Sequence, residues 1–179
     1  MNYKLTTQAM TTRNTQWELG VKQTAKPGDM VLCSDTVLHY YNSPLLAVLL
    51  NPIHADIENP RLFEIKTSKK FVTDQLKFGC KSQTILKEIP LPEITTNQKI
   101  AFAILCALEV YQCHPFMTWA TNWLSGKDRT ADAAYAARDA VYAAEKAAAY
   151  AARNAANAAR DARVEIDFKK LVKQAMQYI

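Results

Sequence analysis

The chain has 179 residues, a net charge of +5 and an isoelectric point near 9.0. This length suffices for one sizeable core, or for one domain with a helical extension. The basic residues are dispersed, so the charge favours anionic partners mildly and argues against dedicated nucleic-acid binding. The N-terminus is polar and no long apolar run occurs, so we expect a cytoplasmic protein with reduced thiols and no membrane contact.

The first 92 residues predict short strands around one small helix. Residues 1–30 are polar, with Trp17 as the only large anchor. Residues 30–41, MVLCSDTVLHYY, predict a buried strand followed by a bend. Ser43 and Pro44 predict a helix start, and the following LLAVLL a short buried helix that ends near Asn51 and Pro52. Alternating apolar residues predict strands in RLFEIKTS and SQTILKEIPLP.

From residue 93 onward the pattern is helical. Thr95 or Thr96 caps an apolar helix, NQKIAFAILCALEVYQ, and Pro115 opens another that Ser125 and Gly126 end. The fold class predicted is therefore α+β. A small mixed α/β domain, residues 1–92, precedes a helical half, residues 93–179.

The longest predicted element is an alanine-rich helix over about residues 128–178. More than half of residues 131–162 are alanine, and neither Gly nor Pro follows Gly126. Helical periodicity places one alanine stripe on a single face: Ala133, Ala137, Ala140, Ala144, Ala148, Ala151, Ala155, Ala158 and Ala162. The other face carries Tyr135, Tyr142, Lys146, Tyr150, Arg153, Asn157 and Arg160. Such a stripe predicts close helix packing, within the chain or between copies, and we expect a homo-oligomer, with a dimer favoured.

Few residues suggest catalysis or metal binding. Cys106, Cys113 and His114 are the one cluster with metal-ligand chemistry, and their spacing lacks the tight ligand pairs of structural zinc. Cys33 and His39 are close in sequence, but nothing supports a third group to orient them. No phosphate-binding loop or hydrolase motif occurs. We therefore expect no metal, no cofactor and no catalytic set.

Two groups of residues are candidates for ligand binding. His39, Tyr40 and Tyr41 precede a predicted helix N-terminus, where free N–H groups can donate hydrogen bonds to an anion and rings can stack on a base. They could equally be core residues at the joint between strand and helix. The second group lies on the predicted helix that Pro115 opens and on the residues that follow it: Trp119, Trp123, Lys127, Arg129 and Arg138. The alternative for this second group is structural: the two Trp side chains would share one helix face and pack against the start of the long helix.

Three stretches resemble proteins encoded by bacteriophages and prophages, whose function is not established. They are LCSDTVLHYYNSPLLAVLLNP, SQTILKEIPLPEITTNQKIAFAILCALEVY and WATNWLSGKDRTADAAYAARDAVYAA. The resemblance covers roughly residues 30 to 150, and the junction WATNWLSGKDR is its most specific part. It implies a small α/β unit with an alanine-rich tail, located in the host bacterial cytosol, with an accessory or counter-defence role. LHYYNSP also resembles ADP-ribosyltransferase-like folds, in which His and Tyr hold NAD; Glu64 and Glu88 are unsupported candidates for the required glutamate.

Three hypotheses follow. The first is a non-enzymatic protein that sequesters a small anionic ligand, such as a nucleotide-derived immune signal. The second is an ADP-ribosyltransferase-like enzyme that acts on NAD. The third is an inhibitor or scaffold whose long helix docks on a host protein. The absence of a catalytic set, together with the basic charge, favours the first.

Overall fold

The structure is a computed structural model that describes residues 1–110, 114–129, 144–161 and 165–178. The chain forms two compact units, Met1–Glu93 and Ile94–Ile179. Strands and one helix build the first unit and helices the second, so the fold is α+β as predicted. No helix in the described ranges is both long and apolar enough to cross a bilayer.

Short antiparallel strands form most of the first unit. They are β1 (Asn2–Thr6), β2 (Thr11–Thr12), β3 (Thr15–Gln16), β4 (Lys22–Thr24), β5 (Leu38–Tyr40), β6 (Arg61–Thr67), β7 (Phe71–Thr73), β8 (Phe78–Cys80) and β9 (Ser82–Ile89). Strands β6 and β9 confirm the two strands that were predicted from alternating apolar residues in RLFEIKTS and SQTILKEIPLP. One sheet has the order β1-β6-β9-β4, a second the order β5-β8-β7, and β2 and β3 form a hairpin.

Two backbone connections join the sheets. Tyr3 and Tyr41 exchange backbone hydrogen bonds of 2.8 and 2.9 Å, which links β1 to the end of β5. Lys81 alone separates β8 from β9. A core cluster from both sheets fills the space between them: Trp17, Tyr40, Phe63, Ile65, Cys80 and Ile85.

Two predictions for the first unit were wrong in extent. The strand predicted over residues 30–41 is limited to β5, because Cys33 has a left-handed φ of 65° that a strand does not accommodate. Helix α1 (Pro44–His54) starts as predicted but continues through Pro52. Its buried leucine face, Leu46, Leu49 and Leu50, packs into the unit, which outweighs the one backbone hydrogen bond that proline removes.

The second unit contains helices α2 (Thr96–Leu108), α3 (His114–Leu124), α4 (Ala144–Asp161) and α5 (Phe168–Ala175). Of the two predicted caps of α2, Thr95 is the one that the structure shows. Its side chain accepts from the N–H of Gln98, and the Gln98 side chain accepts from the N–H of Thr95. Helix α4 packs on α2 through four buried alanines, Ala152, Ala155, Ala156 and Ala159.

The prediction of one unbroken helix to Tyr178 was wrong. Residues 165–167 are not helical, and Asp167 starts α5 by accepting a 2.9 Å hydrogen bond from the Lys170 N–H. Asp competes for backbone donors in this way and so favours helix starts over helix interiors. The alanine stripe was also misplaced by about one residue, since Ala158 is exposed whereas Ala159 is buried. The predicted helix over residues 130–143 lies outside the described residues.

Candidate functional site

An open cavity of about 640 Å³ lies in the N-terminal unit. Its walls come from β1, the β2–β3 hairpin, β4, the segment between β4 and β5, β5 itself and the end of α1. Cavities of this size hold small molecules up to the size of a nucleotide. The unit therefore has room for an organic ligand.

The wall of the cavity is rich in positive charge. It contains four cationic side chains, Lys4, Arg13, Lys26 and Lys77, and one acidic side chain, Asp35. The Lys26 ammonium lies 2.8 Å from the Asp35 carboxylate, so these two largely neutralise each other. Lys77 lies 3.6 Å from Asp74. Lys4 has no acidic group within ion-pair distance among the described residues.

Lys4 is a buried cation at the floor of this cavity. Successive side chains of β1 point to opposite faces, which places Lys4 over the ring of Trp17. The residue is 4% exposed, and its ammonium lies 4.5 Å from the Trp17 ring centroid. Nζ donates a 2.8 Å hydrogen bond to the His39 carbonyl. Burial lowers the pKa of Lys4 to about 7, because removal from water disfavours the charged form.

His39 is half-buried and neutral at physiological pH. Burial is the largest cause that lowers its pKa to about 4, followed by the charges of Lys77, Lys4 and Arg13. These three cations line the same cavity as His39 and are near enough to act on its ring. The unprotonated Nε2 accepts a 3.0 Å hydrogen bond from the Cys33 N–H. His39 therefore acts as an acceptor that fixes the loop before β5.

Tyr41 and His54 form a second polar pair on the wall. The Tyr41 hydroxyl lies 3.0 Å from His54 Nδ1, and the two rings stack with centroids 5.9 Å apart. Burial raises the pKa of Tyr41, so its hydroxyl stays protonated. Arg13, at the tip of the β2–β3 hairpin, donates a 3.5 Å hydrogen bond to the His54 carbonyl. The pair offers ring surface and a hydroxyl beside the cations.

Hydrogen bonds from Lys81, which lies between β8 and β9, hold the segment between β4 and β5 in place. Lys81 Nζ donates to three of its carbonyls, at 3.2 Å to Lys26, 2.6 Å to Gly28 and 2.9 Å to Thr36. A Cβ at Gly79 would lie 2.9 Å from Val37 Cγ2, so only glycine permits this packing. The segment is thereby held as a cavity wall.

The first candidate group from the sequence divides between cavity and core. His39 and Tyr41 line the cavity. Tyr40 belongs to the core cluster, where it stacks on Phe78 with ring centroids 5.3 Å apart. Alternation along β5 sends neighbouring side chains to opposite faces, which accounts for this division.

The second group lies in the helical unit. Trp123 is buried and Trp119 half-buried on α3. The Arg129 guanidinium lies 4.8 Å from the Trp123 ring centroid, and its Nε donates to the Trp123 carbonyl at 3.3 Å. Lys127 is exposed, and Arg138 lies outside the described residues. Ligand binding by this group stays a prediction.

Sequence reasoning missed most of the residues that line the cavity, among them Lys4, Arg13, His54 and Lys77. These four come from β1, a hairpin tip, a helix end and the residue before β8, so their proximity depends on long-range strand pairing. One signal was available for Lys4. It stands between Tyr3 and Leu5 in NYKLT, a segment whose alternation is compatible with a strand.

Residues 1–97 match the family model of a domain of unknown function, DUF7666. The match covers more than half of the chain and includes every residue that lines the cavity. No curated protein and no solved structure matches the chain.

Proposed function

The chain belongs to the DUF7666 family, and we propose that its N-terminal unit binds a small organic anion in the cavity around Lys4. The observation that supports this proposal most strongly is the buried Lys4 ammonium, which has no acidic partner among the described residues. A buried charge without a counter-charge is costly. An anion in the cavity supplies that counter-charge.

The surrounding charges support the same assignment. Arg13 and Lys77 act on His39 together with Lys4, so three cations share one region of the wall. The acidic groups near them, Asp35 and Asp74, are each within ion-pair distance of a lysine. Negative charge is therefore the property that this wall selects in a ligand.

The cavity also suggests the remainder of the ligand. Tyr41 and His54 present stacked rings beside the cations, and the volume suits a molecule larger than a bare phosphate. A nucleotide-like anion with one planar ring satisfies both features. In a phage-encoded protein, sequestration of such a molecule would remove a nucleotide-derived immune signal without turnover.

Thermal shift and calorimetry with inorganic phosphate, AMP, ADP-ribose, NAD and cyclic nucleotides test the proposal. We expect at least one nucleotide to stabilise the wild type more than phosphate does. Arg13→Glu should weaken that binding about ten- to a hundredfold, the value of one charge-assisted hydrogen bond. Lys66→Glu is the matched control, because Lys66 is an exposed cation outside the cavity.

Two results would contradict the proposal. The first is that no compound of the panel stabilises or binds the wild type. The second is that Arg13→Glu and Lys66→Glu lose equal affinity, which would rule out the cavity as the binding site. Consumption of NAD would instead support a transferase.

A further inference from the structure

We propose that the anion carries an aldehyde or ketone group, and that the Lys4 amine condenses with this carbonyl to form an imine in the cavity. This inference rests on the proposed anion-binding function, which it extends to a chemical class of ligand: anionic carbonyl compounds. The three lysines that line the cavity, Lys4, Lys26 and Lys77, have different surroundings.

Lys26 and Lys77 each lie within ion-pair distance of a carboxylate. The Lys26 ammonium is hydrogen-bonded to Asp35, which raises its pKa. Lys77 lies 3.6 Å from Asp74. An amine that is paired with a carboxylate is less available to attack a carbonyl, so both lysines are poorer nucleophiles than an amine without such a partner.

Lys4 has the opposite environment. Its Nζ donates a hydrogen bond to the His39 carbonyl. A neutral amine can donate this bond just as an ammonium group can. Lys4 lines the cavity, and a neutral amine keeps its lone pair while it donates this bond. Burial is the largest influence on the Lys4 pKa and lowers it, whereas the buried Cys80 thiol nearby acts in the opposite direction.

The protonation state agrees with this geometry. Because burial lowers its pKa to about 7, about half of Lys4 is neutral at neutral pH. An ordinary lysine is neutral in fewer than about one molecule in a thousand under these conditions. Desolvation next to other cations is a known way to activate a lysine for imine formation.

The reaction balances without an oxidant or reductant. The nitrogen lone pair attacks the carbonyl carbon, a C–N bond forms, and the oxygen takes a proton to give a carbinolamine. Loss of that hydroxyl as water, together with the remaining nitrogen proton, gives the C=N bond. The Tyr41 hydroxyl and the His54 imidazole, which lie 3.0 Å apart, also line this cavity.

Reductive trapping tests the inference. Wild-type protein is incubated with glyoxylate, a small anionic aldehyde, and sodium cyanoborohydride, and the modified lysines are located by peptide mass spectrometry. We expect Lys4 to be modified at least ten times faster than Lys26, Lys77 and the exposed Lys66. The rate at Lys4 should reach half its plateau near pH 7, whereas surface lysines should still be accelerating at pH 9.

Two results would overturn the inference. One is an equal rate of labelling at all lysines; the other is a labelling rate at Lys4 that rises with pH in the same way as the rate at Lys66. Lys4→Arg keeps a positive charge and removes the nucleophile, so it should still bind any nucleotide of the panel that binds the wild type, yet lose the fast label. The wild-type pH profile decides the question if that variant fails to fold. Anion binding without labelling of Lys4 would reject imine formation alone, whereas absence of both would reject the proposed function too.

Discussion

Replacing Lys4 by methionine should stabilise the N-terminal unit at neutral pH and remove part of its pH dependence. Methionine has a similar length and no charge, so it fills the same space over the Trp17 ring. The folded protein holds Lys4 with a pKa of about 7, whereas the unfolded chain has an ordinary value of 10.5. The difference corresponds to about 5 kcal/mol, an upper bound on the cost of burying the charge.

The sign follows from the protons that Lys4 binds in each state. Between pH 7 and 10.5 the unfolded chain binds more protons at Lys4 than the folded protein does. The free energy of unfolding therefore rises with pH in this window, by about 1.4 kcal/mol per pH unit at most. From pH 7 to pH 9 the lysine contributes an increase of about 2 kcal/mol. Below pH 7 the contribution levels off, because both states are protonated.

Urea denaturation of wild type and Lys4→Met at pH 6, 7, 8 and 9, followed by tryptophan fluorescence, measures this difference. We expect the variant to be more stable at pH 7 and its advantage to shrink by about 2 kcal/mol at pH 9. Lys66→Met, at an exposed position, should follow the wild type at every pH. Parallel pH curves for wild type and Lys4→Met would refute the assignment of Lys4 as a buried cation.

Three further predictions follow from the structure. Gly79→Ala should lower the free energy of unfolding by about 1–3 kcal/mol, because its new Cβ meets Val37; unchanged urea stability would contradict the packing described. Thr95→Ala should cost about 1 kcal/mol by removing the hydrogen bond that the Gln98 N–H donates, whereas Thr96→Ala should cost less; equal losses in thermal melts would argue against the cap. The dimer expected from the alanine stripe stays a prediction, and a monomer mass in light scattering would reject it; within the chain, α2 already covers the buried alanines of α4.

Elements with strong local signals could be predicted from the sequence. The Thr95 capping box sets the start of α2, and Ser43 with Pro44 sets the start of α1. Strands β6 and β9 follow from residue alternation. The end of α1 and the break before α5 were not predictable in this way, because tertiary packing overrides Pro52 and a single Asp167 outweighs high helix propensity nearby.

The candidate site was only partly predictable, because distant strand pairing creates it. His39 and Tyr41 stood out as a histidine and an aromatic residue before a helix start, and both line the cavity. Lys4 lies in a polar N-terminal segment, and nothing local shows that it becomes 4% exposed. Its burial results from the pairing of β1 with β6 and from the Trp17 ring beneath it.

Calorimetry of the nucleotide panel with wild type and Lys4→Met at pH 7 tests the central claim most directly. The account predicts that at least one nucleotide binds the wild type and that the variant binds it about ten- to a hundredfold more weakly, although the variant is the more stable protein. A loss of affinity with a gain in stability separates the charge of Lys4 from any effect on folding. Equal affinity for the two proteins, or no binding to the wild type by any member of the panel, would contradict an anion site built on Lys4.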